Sequence, residues 1–297
     1  MCLHCTCIGQ RILEWPHCAL QDWIEKFSML FPWQVGPMDR SREMPSQTGM
    51  SLLADSISHR MSLVEITRKA IAPLQALRFP KPVACVYLPL DYAFSVHRAF
   101  LERYGRGKKE ALFVGMNPGP FGMVQTGVPF GEVAAVKGWL GLTGKVRKPA
   151  MEHPKRPIEG LECARSEVSG RRFWGWAERR FVTPERFFAR FYVHNYCPLA
   201  FLSETGSNIT PDKLPKSAVV ELFSHCDRLL QQVVATLQPE LVIGVGAFAE
   251  LAAKRALGAA AVRYGRVAHP SPASPAANRG WEPLIERGLA DLGVTLP

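Results

Sequence analysis

Long hydrophobic runs are missing from this sequence, because no apolar stretch of its 297 residues reaches the roughly 18 residues that a membrane-spanning helix needs. The amino terminus also lacks the basic patch followed by an apolar core that marks a secretory signal. These absences predict an intracellular protein without a membrane partner. The hydrophobic share of 47% argues against global disorder and favours a globular protein with a buried core.

Two common catalytic signatures are absent as well. The sequence contains no Gly-x-Ser-x-Gly, which excludes the nucleophile elbow of an α/β hydrolase. Residues 115–131 form a Gly-rich stretch that contains no lysine, so this stretch is not the phosphate-binding loop of a nucleotide hydrolase. Any catalysis must therefore use another set of side chains.

Acidic residues are in deficit, with 26 Asp/Glu against 36 Lys/Arg and a net charge of +10. Residues 1–61 hold five Lys/Arg against six Asp/Glu, so residues 62–297 carry 31 against 20, a net charge of +11. A globular body this basic suits a polyanion, with nucleic acid ahead of an anionic membrane surface. A generic basic surface is the alternative.

The eight cysteines do not form a recognisable disulfide framework. Four lie near the amino end and four are scattered, and the lack of a secretory signal favours the reduced state. A zinc or iron–sulfur site near the amino end is an alternative, but its spacing matches no established ligand pattern. We therefore expect no metal and no cofactor. The residues of that alternative are Cys2, Cys5, Cys18, His4 and His17.

The chain divides into an extension and one domain. Residues 1–61 lack sustained periodicity and are expected to be a poorly ordered extension, with a short helix near 20–30. Residues 62–297 are expected to be the catalytic domain. Their patterns predict a helix from residue 62, strands over 83–88, 111–116, 190–195, 241–245 and 262–268, and helices over 91–104, 132–140, 216–237, 247–257 and 281–292. Four buried strands alternating with helices predict an α/β fold, a three-layer α/β/α sandwich around a four-stranded, mainly parallel sheet.

The segment 143–190 shows no strong helical stripe and is interpreted as irregular. It holds twelve Lys/Arg against six Asp/Glu, interleaved with six large aromatic residues. Basic residues with aromatics on long loops suit a nucleic-acid groove. The alternative, which we favour for the aromatics, is a charged surface over an aromatic core. These aromatics are Phe173, Trp174, Trp176, Phe181, Phe187 and Phe188.

Residues 115–131 are expected to form a ligand-binding loop. They contain five glycines and three prolines and follow a short apolar strand. Glycine lets the backbone approach a flat ligand, and proline restricts the loop beforehand. A strand, a stiff loop and a helix are how an open α/β sheet presents a site at its carboxyl edge.

Three polar residues lie at the carboxyl ends of three predicted strands, namely Asn117, Asn195 and His269. Because these ends share one edge of a parallel sheet, the side chains are expected to converge. A carboxamide does not titrate, so neither asparagine is a general base, but either can orient a water or read hydrogen-bond donors and acceptors. The histidine can stabilise developing negative charge.

These residues carry a family resemblance. Gly115-Met-Asn-Pro-Gly, Val193-His-Asn-Tyr-Cys-Pro-Leu and His269-Pro-Ser-Pro resemble the site motifs of the single-strand-selective monofunctional uracil-DNA glycosylases, within the uracil-DNA glycosylase superfamily. The resemblance extends from about Ser62 to the end, includes His153-Pro-Lys-Arg-Pro157 and Gly160-Leu-Glu-Cys163, and leaves residues 1–61 unmatched. It implies a uracil-DNA glycosylase-like fold and base excision repair of uracil in single- and double-stranded DNA by base flipping.

The resemblance also implies how the base is bound. A flipped-out uracil would stack on Phe130, and Asn195 would accept from N3–H and donate to O4. Cytosine reverses that donor and acceptor pattern. The backbone at Met116 would donate to the base, and the missing side chain at Gly119 would leave room for C5 substituents such as that of 5-hydroxymethyluracil.

Catalytic roles follow from the same resemblance. His269 would stabilise negative charge on O2 of the departing uracil, and Asn117 would hold the water that attacks C1′ of an oxocarbenium-like sugar. Since the motifs contain no lysine nucleophile, no Schiff base should form and the abasic site should stay uncleaved.

The loop after the last motif departs from the family, which often carries Arg-Asn where this chain has Ala273 and Ser274. A small wedge fills a vacated base stack poorly, so weak duplex activity is expected, with Arg279 as a substitute charge. The residues expected to contact DNA are Pro272, Ala273, Ser274, Pro275, Asn278 and Arg279.

Two other functions fit parts of the pattern. One is a catalytically inert reader of single-stranded or damaged DNA, and the other is a hydrolase of free nucleosides or nucleotides. The intact site residues argue against the first, and the charge of residues 62–297 argues for a polymer rather than a small molecule. A monomer is expected, in the nucleus of a eukaryote or the cytoplasm of a bacterium.

Overall fold

The computed structural model describes residues 61–258 and 262–297, which belong to one compact unit. The short helix expected near 20–30, the amino-terminal Cys and His residues and the extension over 1–61, except for its last residue, lie outside the described residues. In chain order the elements are α1 (Leu63–Ala76), β1 (Cys85–Tyr87), α2 (Pro89–Tyr92), α3 (Phe94–Tyr104), β2 (Ala111–Gly115), α4 (Met123–Thr126), α5 (Val133–Lys137), α6 (Val168–Phe181), α7 (Pro184–Arg190), β3 (Phe191–Asn195), β4 (Ala200–Leu202), β5 (Asn208–Ile209), α8 (Lys216–Leu237), β6 (Leu241–Val245), α9 (Ala247–Leu257), β7 (Arg263–Val267), α10 (Pro275–Arg279) and α11 (Glu282–Asp291).

The central sheet has four strands in the order β3-β2-β6-β7, and every neighbouring pair is parallel. Helices flank it, with α9 against β6 and α11 against β7. β2 and β6 are buried at every position, which explains their continuous apolar sequences. The predicted α/β fold around a four-stranded parallel sheet is confirmed.

A second, smaller sheet was not predicted. The strand expected at 83–88 is present as β1, but it pairs antiparallel with β4, and β4 pairs antiparallel with β5. β4 and β5 have only three and two residues, too few for alternation to appear in the sequence.

The interpretation of segment 143–190 as irregular was wrong, because α6 and α7 occupy most of its second half. Glu167 caps α6 by accepting from the Gly170 N–H at 3.2 Å, and Thr183 caps α7. Glycine and aromatic residues lower the helix propensity of α6, so packing rather than propensity stabilises this helix. All six aromatics of the segment are at most 2% exposed, which confirms that they belong to the core.

The parallel register of the strands determines where the predicted site residues lie. Gly115 at the end of β2 pairs with Asn195 at the end of β3, and the ladder continues through Tyr196 N–H to the Gly115 carbonyl and Cys197 N–H to the Met116 carbonyl, both at 2.9 Å. Val267 at the end of β7 pairs with Val245. The ends of β2, β3 and β7 therefore lie along one edge of the sheet.

Within the described part of the chain, no helix has the length and apolar character needed to cross a bilayer.

Candidate active site

Gly115 lies at the centre of the candidate site. A Cβ on this residue would overlap Asn195 Oδ1 and approach Phe130 Cε2 to 2.8 Å. The Asn195 amide and the Phe130 ring therefore both lie directly against the end of β2. A glycine is required here because two predicted site residues occupy the space of its side chain.

Packing against another aromatic ring fixes the position of the Phe130 ring. Phe173 of α6 stacks on it with 4.9 Å between ring centroids and 12° between ring planes. Phe130 has a φ of 53°, which is uncommon for a bulky residue, and its carbonyl accepts from the Glu132 N–H at 2.7 Å. Such a backbone conformation persists only where surrounding packing enforces it.

Asn195 is 4% exposed and its amide nitrogen donates to Met123 Sδ at 3.2 Å. A thioether is a weak acceptor, so a carbonyl oxygen in its place would form a stronger hydrogen bond with this amide. Its position against Gly115 and the Phe130 ring suits the reading of the edge of a flat ligand.

Asn117 lies two residues beyond the end of β2 and is half-buried. Its amide nitrogen donates to the Leu199 carbonyl at 3.4 Å, a long hydrogen bond. Met116, one residue earlier, is tied to the turn after β3 through its carbonyl. The backbone next to Asn117 is therefore hydrogen-bonded to the turn after β3.

His269 completes the group at the end of β7. Its ring centroid lies 6.2 Å from that of Phe130, and the Ser271 N–H donates to its Nδ1 at 3.0 Å. A nitrogen that accepts carries no proton, so the neutral ring has its proton on Nε2. Burial lowers the pKa of His269 to about 4, which keeps the ring neutral near pH 7.

Arg172 of α6 anchors the loop after His269 and was missed by the sequence reasoning. Its guanidinium donates to the Pro270 carbonyl at 2.9 Å, to the Ser271 carbonyl at 3.4 Å and to Asn278 Oδ1 at 2.9 Å. Trp281 donates from its indole to the Ala268 carbonyl at 2.8 Å. Because the Arg172 bonds span about 100 residues of sequence, no local pattern reveals them.

Two polar side chains of the predicted wedge loop form hydrogen bonds within the protein. Asn278 accepts from Arg172 and donates to the Pro272 carbonyl at 2.8 Å, so both polar atoms of its side chain are used within the protein. Ser274 caps α10 by accepting from the Ala277 N–H at 3.3 Å. The exposed members of the predicted set are Pro272, Ala273, Pro275, Asn278 and Arg279.

Glu167 was also missed. A Cβ on Gly119 would lie 2.9 Å from Glu167 Oε1, and a Cβ on Gly122 would lie 2.5 Å from Glu167 Oε2. The Glu167 carboxyl therefore lies on the side of Gly119 to which a side chain would point, a neighbour that the sequence did not predict. Burial, reinforced by the Glu132 carboxylate, raises the pKa of Glu167 to about 7.

In residues 61–258 and 262–297, no group of three His, Cys, Asp or Glu side chains is arranged to hold a metal ion. The four described cysteines, Cys85, Cys163, Cys197 and Cys226, are free thiols.

Known proteins resemble this chain over most of its length. Residues 102–287 match the family model of the uracil DNA glycosylase superfamily. The single-strand selective monofunctional uracil-DNA glycosylase of Rattus norvegicus is 51% identical over 225 residues, covering 75% of this chain and 81% of the relative. The Mus musculus protein of the same description is 46% identical over 263 residues, covering 88% and 94%. Residues 62–297 are 236 of the 297 residues, so the similarity to the mouse protein extends into residues 1–61, which the sequence reasoning had left unmatched.

Among solved structures, wild-type SMUG2 of Pedobacter heparinus has the same fold, with a TM-score of 0.55 and 16% sequence identity. The match covers 77% of this chain and 97% of that structure.

Proposed function

This chain belongs to the uracil DNA glycosylase superfamily and is accordingly an enzyme, a DNA glycosylase without lyase activity, and we propose that it excises uracil and C5-modified uracils from DNA. The observation that carries the proposal is the meeting of Phe130, Asn195 and His269 around the end of β2. An aromatic face, a carboxamide and a neutral imidazole are what a flipped-out uracil needs for stacking, recognition and departure. The product is an abasic site in an intact strand.

Uracil binding follows from the surroundings of Phe130 and Asn195. The base stacks on the Phe130 ring, which Phe173 supports from the other side. The Asn195 amide nitrogen leaves Met123 Sδ and donates to O4, and Oδ1 accepts from N3–H. Cytosine would leave both groups unpaired, at about 1–3 kcal/mol each.

Bond cleavage leaves its electron pair on uracil. As the bond between C1′ and N1 breaks, negative charge spreads to O2, where the Nε2–H of neutral His269 donates. The neutral imidazole donates this hydrogen bond and keeps its proton, and hydrogen bonds to developing oxyanions are worth about 2.7–4 kcal/mol.

Asn117 orients the attacking water. Its carboxamide cannot take the proton of that water, so the proton passes to the uracil anion or to solvent as the oxygen bonds to C1′. The oxocarbenium-like sugar is electrophilic enough to need positioning more than a strong base.

The DNA strand is held by the basic surface and by the loop that includes Pro272, Ala273 and Arg279. The small side chains at the tip of this loop favour single-stranded over duplex DNA, because a wedge that fills the vacated stack poorly does not offset the loss of pairing. Asn278 contributes by shaping the loop through Arg172. The enzyme acts as a monomer where the DNA is, in the nucleus of a eukaryote or the cytoplasm of a bacterium.

The test is base release from a uracil-containing oligonucleotide, single- and double-stranded, by the wild type, Asn117→Ala and His269→Leu. Release by the wild type and its collapse in both variants supports the proposal, and His225→Leu on α8 controls for loss of an imidazole outside the site. The strand should break only after alkaline treatment. Tight binding without release would instead support an inert DNA reader, and equal release from free deoxyuridine would support a small-molecule hydrolase.

A further inference from the structure

Glu167 is a carboxyl group at the edge of the site that has no part in the steps of base binding and release. It is half-buried, caps the amino end of α6 and directs its two oxygens at Gly119 and Gly122 of the loop 115–131. Neither glycine has a positive φ, so the backbone angle φ does not require glycine at either position. At both positions a side chain would come too close to the Glu167 carboxyl.

The position of this carboxyl relative to a bound base follows from the connectivity of uracil, given the base-binding mode of the proposed function, on which this inference rests. Around the ring, one path from the sugar to O4 passes through C6 and C5, and the other passes through C2 with its O2. Asn117 lies at the sugar and His269 at O2. The Asn195 amide nitrogen, which now contacts Met123 Sδ, lies at O4.

The loop between Asn117 and Met123 therefore follows the C6–C5 edge of the base. This stretch contains Gly119 and Gly122, the two residues against which the Glu167 oxygens lie. The loop also forms a tight turn there, because the Gly122 N–H and the Val124 N–H both donate to the Gly119 carbonyl at 3.2 Å. The Glu167 carboxyl therefore lies beside the part of the loop that follows the C5 side of the base.

We propose that Glu167 is a specificity-determining residue that recognises a polar substituent at C5, accepting a hydrogen bond from the hydroxyl group of 5-hydroxymethyluracil. The hydroxyl is a donor, so a carboxyl oxygen pairs with it in either protonation state. The methyl group of thymine offers no donor and would leave the carboxyl desolvated without a partner, which disfavours thymine. Uracil carries only hydrogen at C5 and leaves room for water.

The environment of Glu167 agrees with this role. Burial raises the pKa of Glu167 to about 7, and repulsion from the Glu132 carboxylate adds to the rise. Hydrogen bonds from the Gly170 N–H and the Ser169 side chain act in the opposite direction and lower it. A carboxylate has about four acceptor sites, and the hydrogen bonds from Gly170 and Ser169 fill only part of them. The hydroxyl group of 5-hydroxymethyluracil fills another.

The experiment compares kcat/KM for uracil, 5-hydroxymethyluracil and thymine at one position of a single-stranded oligonucleotide. Glu167→Asp keeps a good helix cap and the charge but withdraws the carboxyl by one methylene, so the ratio of 5-hydroxymethyluracil to uracil should fall about tenfold. Glu167→Gln keeps the length and an accepting oxygen, so its ratio should fall less. Glu178→Asp, an exposed position of α6, should leave the ratio unchanged.

The outcomes separate the inference from the proposed function. An unchanged ratio in Glu167→Asp, whether release of both bases falls equally or not at all, would overturn the inference, while uracil release by the wild type keeps the proposed function intact. A wild type that releases neither base would overturn both. Thermal unfolding of each variant checks that the fold is retained.

Discussion

Phe173 stacks on Phe130 with 4.9 Å between ring centroids and 12° between planes, so a core residue of α6 determines where the proposed base platform lies. Phe173 is fully buried, whereas Phe130 retains 8% exposure. Phe173 therefore fixes the orientation of the ring on which the base is proposed to stack.

Phe173→Leu should lower kcat/KM for uracil in single-stranded DNA about tenfold, because the Phe130 ring loses its support and base stacking is worth about 1–3 kcal/mol. Steady-state kinetics on an oligonucleotide measures this loss. Phe187→Leu removes the same volume from the same aromatic cluster and should leave kcat/KM nearly unchanged. An equal loss in both variants would assign the effect to general destabilisation.

Arg172→Ala should reduce uracil release by about tenfold or more, because it removes the donors that hold the Pro270 carbonyl and Asn278. The matched control is Arg171→Ala, which removes an equal charge from the same helix, but from a side chain that donates to Ser166 just before that helix instead of to the loop. If both variants lose activity equally and the loss vanishes at low salt, the role of Arg172 is electrostatic and not one of anchoring.

Duplex activity should rise in the double variant Ala273→Arg, Ser274→Asn. The arginine adds a phosphate contact and a larger wedge, and asparagine is as good a helix cap as the serine it replaces. Release from double-stranded DNA should increase several-fold, while release from single strands changes little. Ala276→Arg adds the same charge to an exposed neighbouring position, and an equal gain there would argue against the wedge.

Glu167 should make the protein less stable as the pH rises. Its pKa is raised from 4.5 to about 7 in the folded state, so folding retains a proton that the unfolded chain has lost. The stabilising contribution is complete below pH 4.5 and is lost as the pH rises through 7, at most about 3 kcal/mol. Urea unfolding from pH 5 to 8 should show a shallower decline for Glu167→Gln than for the wild type, and parallel curves would refute the assignment.

Three histidines, His97, His194 and His269, should destabilise the protein on the acid side. Burial lowers the pKa of His97 and His269 to about 4 and that of His194 to about 3. The unfolded chain takes up these protons below 6.5, so stability present above pH 6.5 is lost as the pH falls toward 4. His97→Asn, which retains a donor for the Gly127 carbonyl, should weaken this acid sensitivity in thermal unfolding. Uracil release by the wild type should show no inflection near pH 6.5 from His269.

The amino-acid sequence was sufficient to predict the elements that carry their own periodicity and the residues that end a strand. Asn117, Asn195 and His269 could be grouped from sequence alone because strand ends of a parallel sheet share an edge. Glu167 and Arg172 could not, since their partners lie about 50 and 100 residues away and depend on how α6 packs. Gly119 illustrates the limit, because the sequence draws attention to its missing side chain but not to the Glu167 carboxyl beside it.

The pairing of Gly115 with Asn195 ties the proposed base recognition to the correct alignment of β2 and β3. These residues are 80 positions apart, and side chains alternate between the faces of a strand, so a slip of one residue would bring His194 or Tyr196 to the place of Asn195. A chain whose central strands have met out of register can be compact and helical yet unable to read a base. The recovery of base release during refolding would therefore measure how fast the strands reach the correct alignment. Circular dichroism, which follows secondary structure, does not distinguish one alignment from another.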